Sequence, residues 1–213
     1  MTVSKADQKT IPGIILAGGR STRMGSNKAL AELGGEKLLT RIKARIAPQV
    51  SALALNADPD WPLPMGLRLV PDILFDKAGP LAGVLAALRD AAATHPLATH
   101  LVTVPTDSPF FPRDLVAQLA GSLDEAQNVA IAVSQGRDHP VFGLWPLAIA
   151  DDLEGWLLTD EKHRVRDFLA RHPVRKVEFA MIETTRGLLD PFFNINTPDD
   201  LAQAEQWLKV LPR

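Results

Sequence analysis

Apolar residues along the chain fall into short unbroken runs, separated by stretches where they recur every third or fourth position. The unbroken runs predict strands over 11–17, 51–56, 67–70, 100–104, 129–133 and 141–145, the pattern of a sheet buried on both faces. Residues 174–179 alternate instead, as a half-exposed edge strand does. Between the strands, Leu38, Leu39, Ile42 and Ile46 predict a helix stopped by Pro48, and Leu81, Val84, Leu85 and Leu88 predict another after a turn at Gly79 and Pro80. Leu115, Val116, Leu119 and Leu123 mark a third helical face, and Val165, Phe168 and Leu169 a shorter fourth. Thr197, Pro198 and Asp200 predict the start of a last helix through Leu208, with a hydroxyl cap, a proline in the first turn and an acid at the third position.

This alternation predicts an α/β fold, a mostly parallel sheet with helices on both faces. One domain is expected over 1–213, with residues 1–10 flexible. Ligands of such sheets sit outside the carboxyl ends of the strands. Gly18, Asn56, Asp72 and Asp107 each follow a predicted strand, so four loops are expected to meet at one crevice.

The first of these loops is unusual: "LAGGRSTRMGSNK", residues 16–28, runs from a buried strand into glycines and positive charge. It is not a P-loop, because Lys28 stands three residues beyond Gly25, and it lacks the G-x-G-x-x-G of a dinucleotide fold. Gly18 and Gly19 carry no side chain to keep a ligand from the backbone, and successive free N–H groups in such a turn cradle phosphate oxygens. Arg20, Arg23 and Lys28 add charge suited to a triphosphate. A plain solvated loop is the alternative.

Composition narrows the chemistry. The 213 residues are 46% hydrophobic and 23% charged, enough for a sizeable core. The net charge of −2 points to no nucleic-acid or membrane partner, so any anion must be held by local cations. The absence of cysteine excludes disulfides, thiolate metal sites and cysteine nucleophiles. The polar start, MTVSKADQKT, has no signal-peptide core, and no apolar run reaches the roughly 18 residues of a membrane span. A cytoplasmic location is expected.

Asp107, in "PTDSP", is placed to hold Mg²⁺, a hard ion that takes one or two carboxylates plus phosphate oxygens. Alternatively it caps the helix starting near Pro112 or closes an Asx-turn. Asn56 and Asp72 are candidates for the same crevice or for satisfying loop backbone groups. His139, in "RDHP", reads as a general base or as a structural loop residue. Asn194 and Asn196 flank Ile195 and are expected on one side of a short strand, where they contact a ligand or cap the last helix. The basic run at 162–166 reads as a solvated helix face.

The glycine loop resembles the signature of nucleotidyltransferases with a Rossmann-like fold. The segments "NADPD", "VPDILFDKAGPLAG", "VPTDSPFFP", "RDHPVFGLW" and "FFNINTPDDL" extend the resemblance over nearly the whole chain, most closely to the molybdenum cofactor guanylyltransferases. That resemblance implies GMP transfer from GTP to the phosphate of molybdopterin, with transient contact to molybdoenzymes or their chaperones. It implies nucleotide contacts from Leu16, Ala17, Gly18, Gly19, Arg20, Lys28, Asn56, Asp72 and Asp107. Lys28, Arg23 and Asp107 carry the catalytic roles, with Mg²⁺ on Asp107. Pro80, Gly83, His139, Asn194 and Asn196 are assigned to the acceptor. A nucleotidyltransferase acting on another base or acceptor, such as a cytidylyltransferase or sugar-phosphate enzyme, and a non-catalytic nucleotide-binding module are the rival readings.

Overall fold

The structure, a computed structural model, describes residues 10–17, 31–61, 66–74, 79–160 and 162–211. In chain order it holds strand β1 (Gly13–Leu16), a hairpin of β2 (Glu32–Leu33) and β3 (Glu36–Lys37), helix α1 (Leu38–Ile46), β4 (Leu53–Asn56), β5 (Arg68–Leu69), α2 (Pro80–Thr94) and β6 (His100–Pro105). There follow α3 (Leu115–Gly121), β7 (Val129–Ser134), β8 (Arg137–Pro146), α4 (Ala150–Thr159), α5 (Val165–Leu169) and β9 (Val174–Glu178). A second hairpin, β10 (Ile182–Thr184) and β11 (Gly187–Leu189), precedes the last helix α6 (Pro198–Leu208).

Seven strands form one sheet in the order β5-β4-β1-β6-β8-β7-β9. Six run parallel, and β8 runs antiparallel between β6 and β7. The chain leaves β1 toward β4 and returns on its other side at β6. Strand order therefore reverses beside β1, where crevices open in sheets of this kind.

Successive strand residues point to opposite faces, and that alternation builds two cores. Ile15, Leu55, Val102 and Val104 pack against α1 and α3 on one face. Ile14, Ala54, Leu101, Val129 and Ile131 pack against α2, α4 and α5 on the other. A third cluster, with Leu33, Phe110, Leu189, Ile195 and Ala204, joins both hairpins to α6. Helix α1 buries Leu38, Leu39, Ile42 and Ile46, and Pro48 falls in the 3₁₀ turn Ala47–Gln49 that follows it. At α6, Thr197 accepts from the Asp200 N–H while the Asp200 carboxylate accepts from the Thr197 N–H at 2.8 Å, the reciprocal cap expected from "TPDD".

Two expectations are corrected here. The basic run at 162–166 is not one helix face, because α5 begins only at Val165 and the Lys162 N–H is turned onto the Asp160 carboxylate. Asn194 to Asn196 form no strand; the segment is irregular, and the Ile195 N–H instead bonds the Asp107 carbonyl at 2.8 Å. The expectation for residues 1–10 falls almost wholly outside the described residues. Among the described residues, no helix is long and apolar enough to cross a membrane.

Candidate functional site

The parallel register sets Leu16 of β1 between Asn56 of β4 and Pro105 of β6, so three carboxyl ends stop at one level. The Ala17 N–H donates to the Asn56 carbonyl at 2.9 Å and holds the first loop's exit against β4. A cleft of about 310 Å³ opens here. Leu16, Pro80, Asp107, His139 and Asn194 all line it, with Arg137, Asp138 and the apolar Pro105, Pro140, Val141 and Phe142. Four segments distant in sequence thus meet, together with the amino end of α2, whose free N–H groups favour negative charge. A smaller cavity of about 110 Å³ lies at the opposite, amino ends of β1 and β4, beside Arg68 and Asp90.

Asn56, at the carboxyl end of β4 opposite Leu16, is not among the residues that line this cleft. Its side chain is 1% exposed, and Nδ2 donates to the Val70 carbonyl at 3.0 Å and to Asp72 Oδ1 at 2.8 Å. Both amide protons are therefore used within the protein, while Oδ1 has no hydrogen-bond partner among the described residues. A buried acceptor left without a donor costs about 1–3 kcal/mol, a cost that a ligand N–H would remove. Gly83 lies directly behind this amide. A methyl on its Cα would overlap Oδ1 and stand 3.0 Å from Asn56 Cγ and 3.2 Å from Leu16 Cδ2. The glycine expected at the acceptor is buried in α2 and makes room for Asn56.

Asp107 emerges beyond β6 in a loop held from several sides. Arg45 of α1 donates to the carbonyls of Phe111 and Phe110, the latter at 3.1 Å, and its guanidinium lies 5.8 Å from the Phe111 ring centre. Burial, helped by Arg113, pushes the Arg45 pKa down to about 10, which leaves it charged at neutral pH. Gln49 reaches across with Nε2 to the Pro112 carbonyl at 3.2 Å and accepts the Val116 N–H at 3.1 Å. Ser108, fully buried, donates to Asn194 Oδ1 and ties the loop to the segment before α6. The N-cap position of α3 is Asp114, so Asp107 does not cap that helix. Asn196 lies at the cap of α6, its N–H bonded to Asp200 Oδ2 at 2.9 Å.

The far wall comes from β8. Its pairing with β7 jumps from Gly143 opposite Ile131 to His139 opposite Ala132, so Pro140, Val141 and Phe142 bulge out of the ladder into the cleft wall. Thr103 of β6 pins the bulge: Oγ1 donates to the Val141 carbonyl at 2.7 Å and accepts from Trp145 Nε1 at 2.9 Å. Gly143 permits it, since a Cβ there would lie 2.7 Å from the Trp145 indole nitrogen and 2.9 Å from the Pro140 carbonyl. His139 is 8% exposed and stacks on Phe192, ring centres 4.6 Å apart, with Nε2 2.8 Å from Ser134 Oγ. Burial pushes the His139 pKa down, Asp190 opposes this, and Arg137 reinforces it.

Gly18, Gly19, Arg20, Arg23 and Lys28 lie outside the described residues. Among the described residues, no group of three or more His, Asp or Glu side chains is placed to hold a metal ion.

The MobA-like NTP transferase domain family matches residues 13–177. A molybdenum cofactor guanylyltransferase of Rhizobium rhizogenes is 66% identical over 209 residues, covering 98% of this chain and 97% of that protein. The chain belongs to the molybdenum cofactor guanylyltransferases. Among solved structures, molybdopterin-guanine dinucleotide biosynthesis protein A from Archaeoglobus fulgidus is similar in fold, with a TM-score of 0.73 and 22% identity over 93% of this chain and 99% of its own. A 4-diphosphocytidyl-2C-methyl-D-erythritol synthase from Anaerococcus prevotii is similar too, at TM-score 0.67, 16% identity, and 95% and 100% coverage.

Within the guanylyltransferase frame, several residues bear on the site without any motif to announce them. Arg45 and Gln49, which no sequence signal singled out, fasten the Asp107 loop from more than 60 residues away. Thr103 and Gly143 read only as strand positions. Ser134 and Asp190 stand 56 residues apart and meet only in the fold, with Ser134 Oγ donating to Asp190 Oδ1 at 2.9 Å.

Proposed function

We infer that this chain transfers GMP from GTP to the phosphate of molybdopterin, with or without molybdenum, releasing pyrophosphate and forming the guanine dinucleotide cofactor. The observation that carries this reading is the two-sided cleft of a guanylyltransferase-family chain. Asp107 stands on one side and a β8 wall, apolar and carrying both Arg137 and Asp138, on the other, while the neighbouring strand end holds a buried Asn56 carbonyl oxygen without a partner among the described residues.

A phosphate oxygen of the acceptor attacks the α-phosphorus of GTP in line. The new P–O bond forms as the bond to the bridging oxygen of pyrophosphate breaks, and the electron pair leaves with pyrophosphate. The acceptor arrives already anionic, so no covalent enzyme intermediate is needed and the protein supplies position and charge. Asn56 Oδ1 accepts an N–H of the base, and Asp72 fixes the amide's orientation by taking one of its protons. Gly18 and Gly19 admit the phosphates to the backbone, Lys28 stabilises charge on the α-phosphate, and Arg23 and Arg20 hold the departing pyrophosphate. Asp107, and Asn194 held by the Ser108 hydroxyl, set the far edge of the reaction centre. Mg²⁺, when bound, would be held by Asp107 and would neutralise phosphate charge between two anionic substrates. Arg137 lines the acceptor side and offsets the acceptor's phosphate charge. GTP labelled at the α-phosphate tests the reaction: the label should appear in the dinucleotide product with one pyrophosphate released per transfer. Label retained in free nucleotide would overturn the reading.

A further inference from the structure

Across the cleft from the nucleotide flank, three side chains form a chain of hydrogen bonds that catalysis by Asp107 and Lys28 does not use. Ser134 Oγ lies 2.9 Å from Asp190 Oδ1 and 2.8 Å from His139 Nε2. Asp190 Oδ1 also accepts the Phe192 N–H at 2.9 Å, which fixes the carboxylate in place. A hydroxyl has one proton, and a carboxylate can only accept; Ser134 therefore donates to Asp190. The contact to the ring must then run the other way, with His139 Nε2–H donating to Ser134 Oγ. The same logic leaves Nδ1 without a proton. His139 Nδ1 has no hydrogen-bond partner among the described residues, and the residue lines the cleft. Phe192 backs the ring, with centres 4.6 Å apart and planes tilted by 32°.

We propose that Asp190 and Ser134 are positioning residues that hold His139 as its Nε2–H tautomer, so that Nδ1 accepts a hydrogen bond from a ring N–H of the pterin acceptor. The proposal rests on the guanylyltransferase reading and goes past it by naming the recognition chemistry on the acceptor side. A pterin carries N–H donors on a flat ring, and the wall beside His139 is supplied by Pro140 and Phe142, which suit such a ring. The histidine thus acts as a fixed acceptor and transfers no proton. Burial favours the neutral ring, the form whose Nδ1 lone pair can accept that hydrogen bond.

The test joins ring ¹⁵N NMR to kinetics. At neutral pH, long-range ¹H–¹⁵N spectra of the wild-type protein should show His139 protonated at Nε2 alone. Ser134→Ala should give a mixed tautomer population, raise KM for molybdopterin roughly 5- to 10-fold, and leave kcat and KM for GTP unchanged, as expected for one lost uniform contact. His139→Asn, whose Oδ1 stands near the place of Nδ1, should keep acceptor KM closer to wild type than His139→Ala; this comparison stands even where Ser134→Ala fails to fold. A wild-type ring protonated at Nδ1, or variants that change KM for GTP as much as KM for molybdopterin, would overturn the assignment. The NMR measurement needs no substrate, so an inactive wild-type protein would refute the function reading separately from the tautomer.

Discussion

Replacing Gly83 with alanine isolates the role of the Asn56 amide. The new methyl would stand 3.0 Å from Asn56 Cγ, against about 3.5–4.0 Å for a comfortable carbon–carbon contact, and would overlap Oδ1. Leu16 Cδ2 at 3.2 Å closes the other side. The amide cannot swing away without giving up its bonds to Val70 and Asp72. Either the contact is compressed or the bonds are lost, and overpacking of this kind costs about 1–3 kcal/mol. For a chain of this length that is a fall of about 2–12 °C in Tm. Displacing Oδ1 also removes the acceptor proposed for the base, so GTP binding should weaken about 5- to 150-fold, the equivalent of 1–3 kcal/mol. Gly155→Ala, on an exposed turn of α4 with nothing within 4 Å, is the control and should stabilise by roughly 0.5–1 kcal/mol. Calorimetric titration with GTP alone, beside thermal unfolding, reads both effects. An unchanged GTP affinity with a raised KM for molybdopterin would refute this reasoning and return Gly83 to the acceptor side.

Three further outcomes are expected. Asp107→Asn should lower kcat by roughly 10²–10³ without shifting Tm appreciably, checked by turnover against Mg²⁺ concentration; near-normal turnover at limiting Mg²⁺ would remove Asp107 from the metal. Arg45→Met should destabilise by about 1.5–3 kcal/mol in urea unfolding, because two carbonyls of the Asp107 loop lose a charged donor; Arg45→Lys should not restore it, since an ammonium cannot span both. His100 and His139 both have pKa values held below the ordinary 6.5 by burial, so the unfolded chain binds more protons and stability should fall as pH drops through about 6.5. Tm measured between pH 7.5 and 5.5 checks this, and a His100→Gln variant should show the smaller fall.

Much of this fold was legible because fully buried strands leave unbroken apolar runs. The seven predicted strands are all present within a few residues, and the parallel bias followed from their alternation with helices. Short elements were missed because two or three residues carry no period: β2–β3 and β10–β11 are of that kind. The first half of β8 was missed for a different reason. "RDHP" has charge and a proline, which read as loop, and the proline is tolerated in the strand only because the bulge leaves it unpaired. Helix α4 escaped notice although Ala150, Leu153 and Leu157 keep helical spacing, because Gly155 and three acids dilute it.

At the site, position alone placed Asp107 at the cleft, which Leu16, Pro80, His139 and Asn194, named through the resemblance, also line; Asn56 and Asp72, expected there from position, are not among its lining residues. What the sequence could not carry was which side chain holds which. Gly83 adjoins Asn56 through a contact between a helix and a strand end 27 positions apart, and Ser134 meets Asp190 by tertiary packing alone.

The central claim is guanine-specific nucleotidyl transfer, and base choice tests it most directly, because the same fold occurs in a cytidylyl enzyme. Guanine offers N1–H and an amino group to acceptors such as Asn56 Oδ1, whereas the pairing edge of cytosine offers an amino group but no ring N–H. One unsatisfied buried group is worth about 1–3 kcal/mol, or roughly 5- to 150-fold. The measurement is kcat/KM for pyrophosphate release with GTP and with CTP, molybdopterin being the acceptor in both. A preference for GTP of at least that order is predicted; equal use of the two nucleotides, or a preference for CTP, would contradict the account.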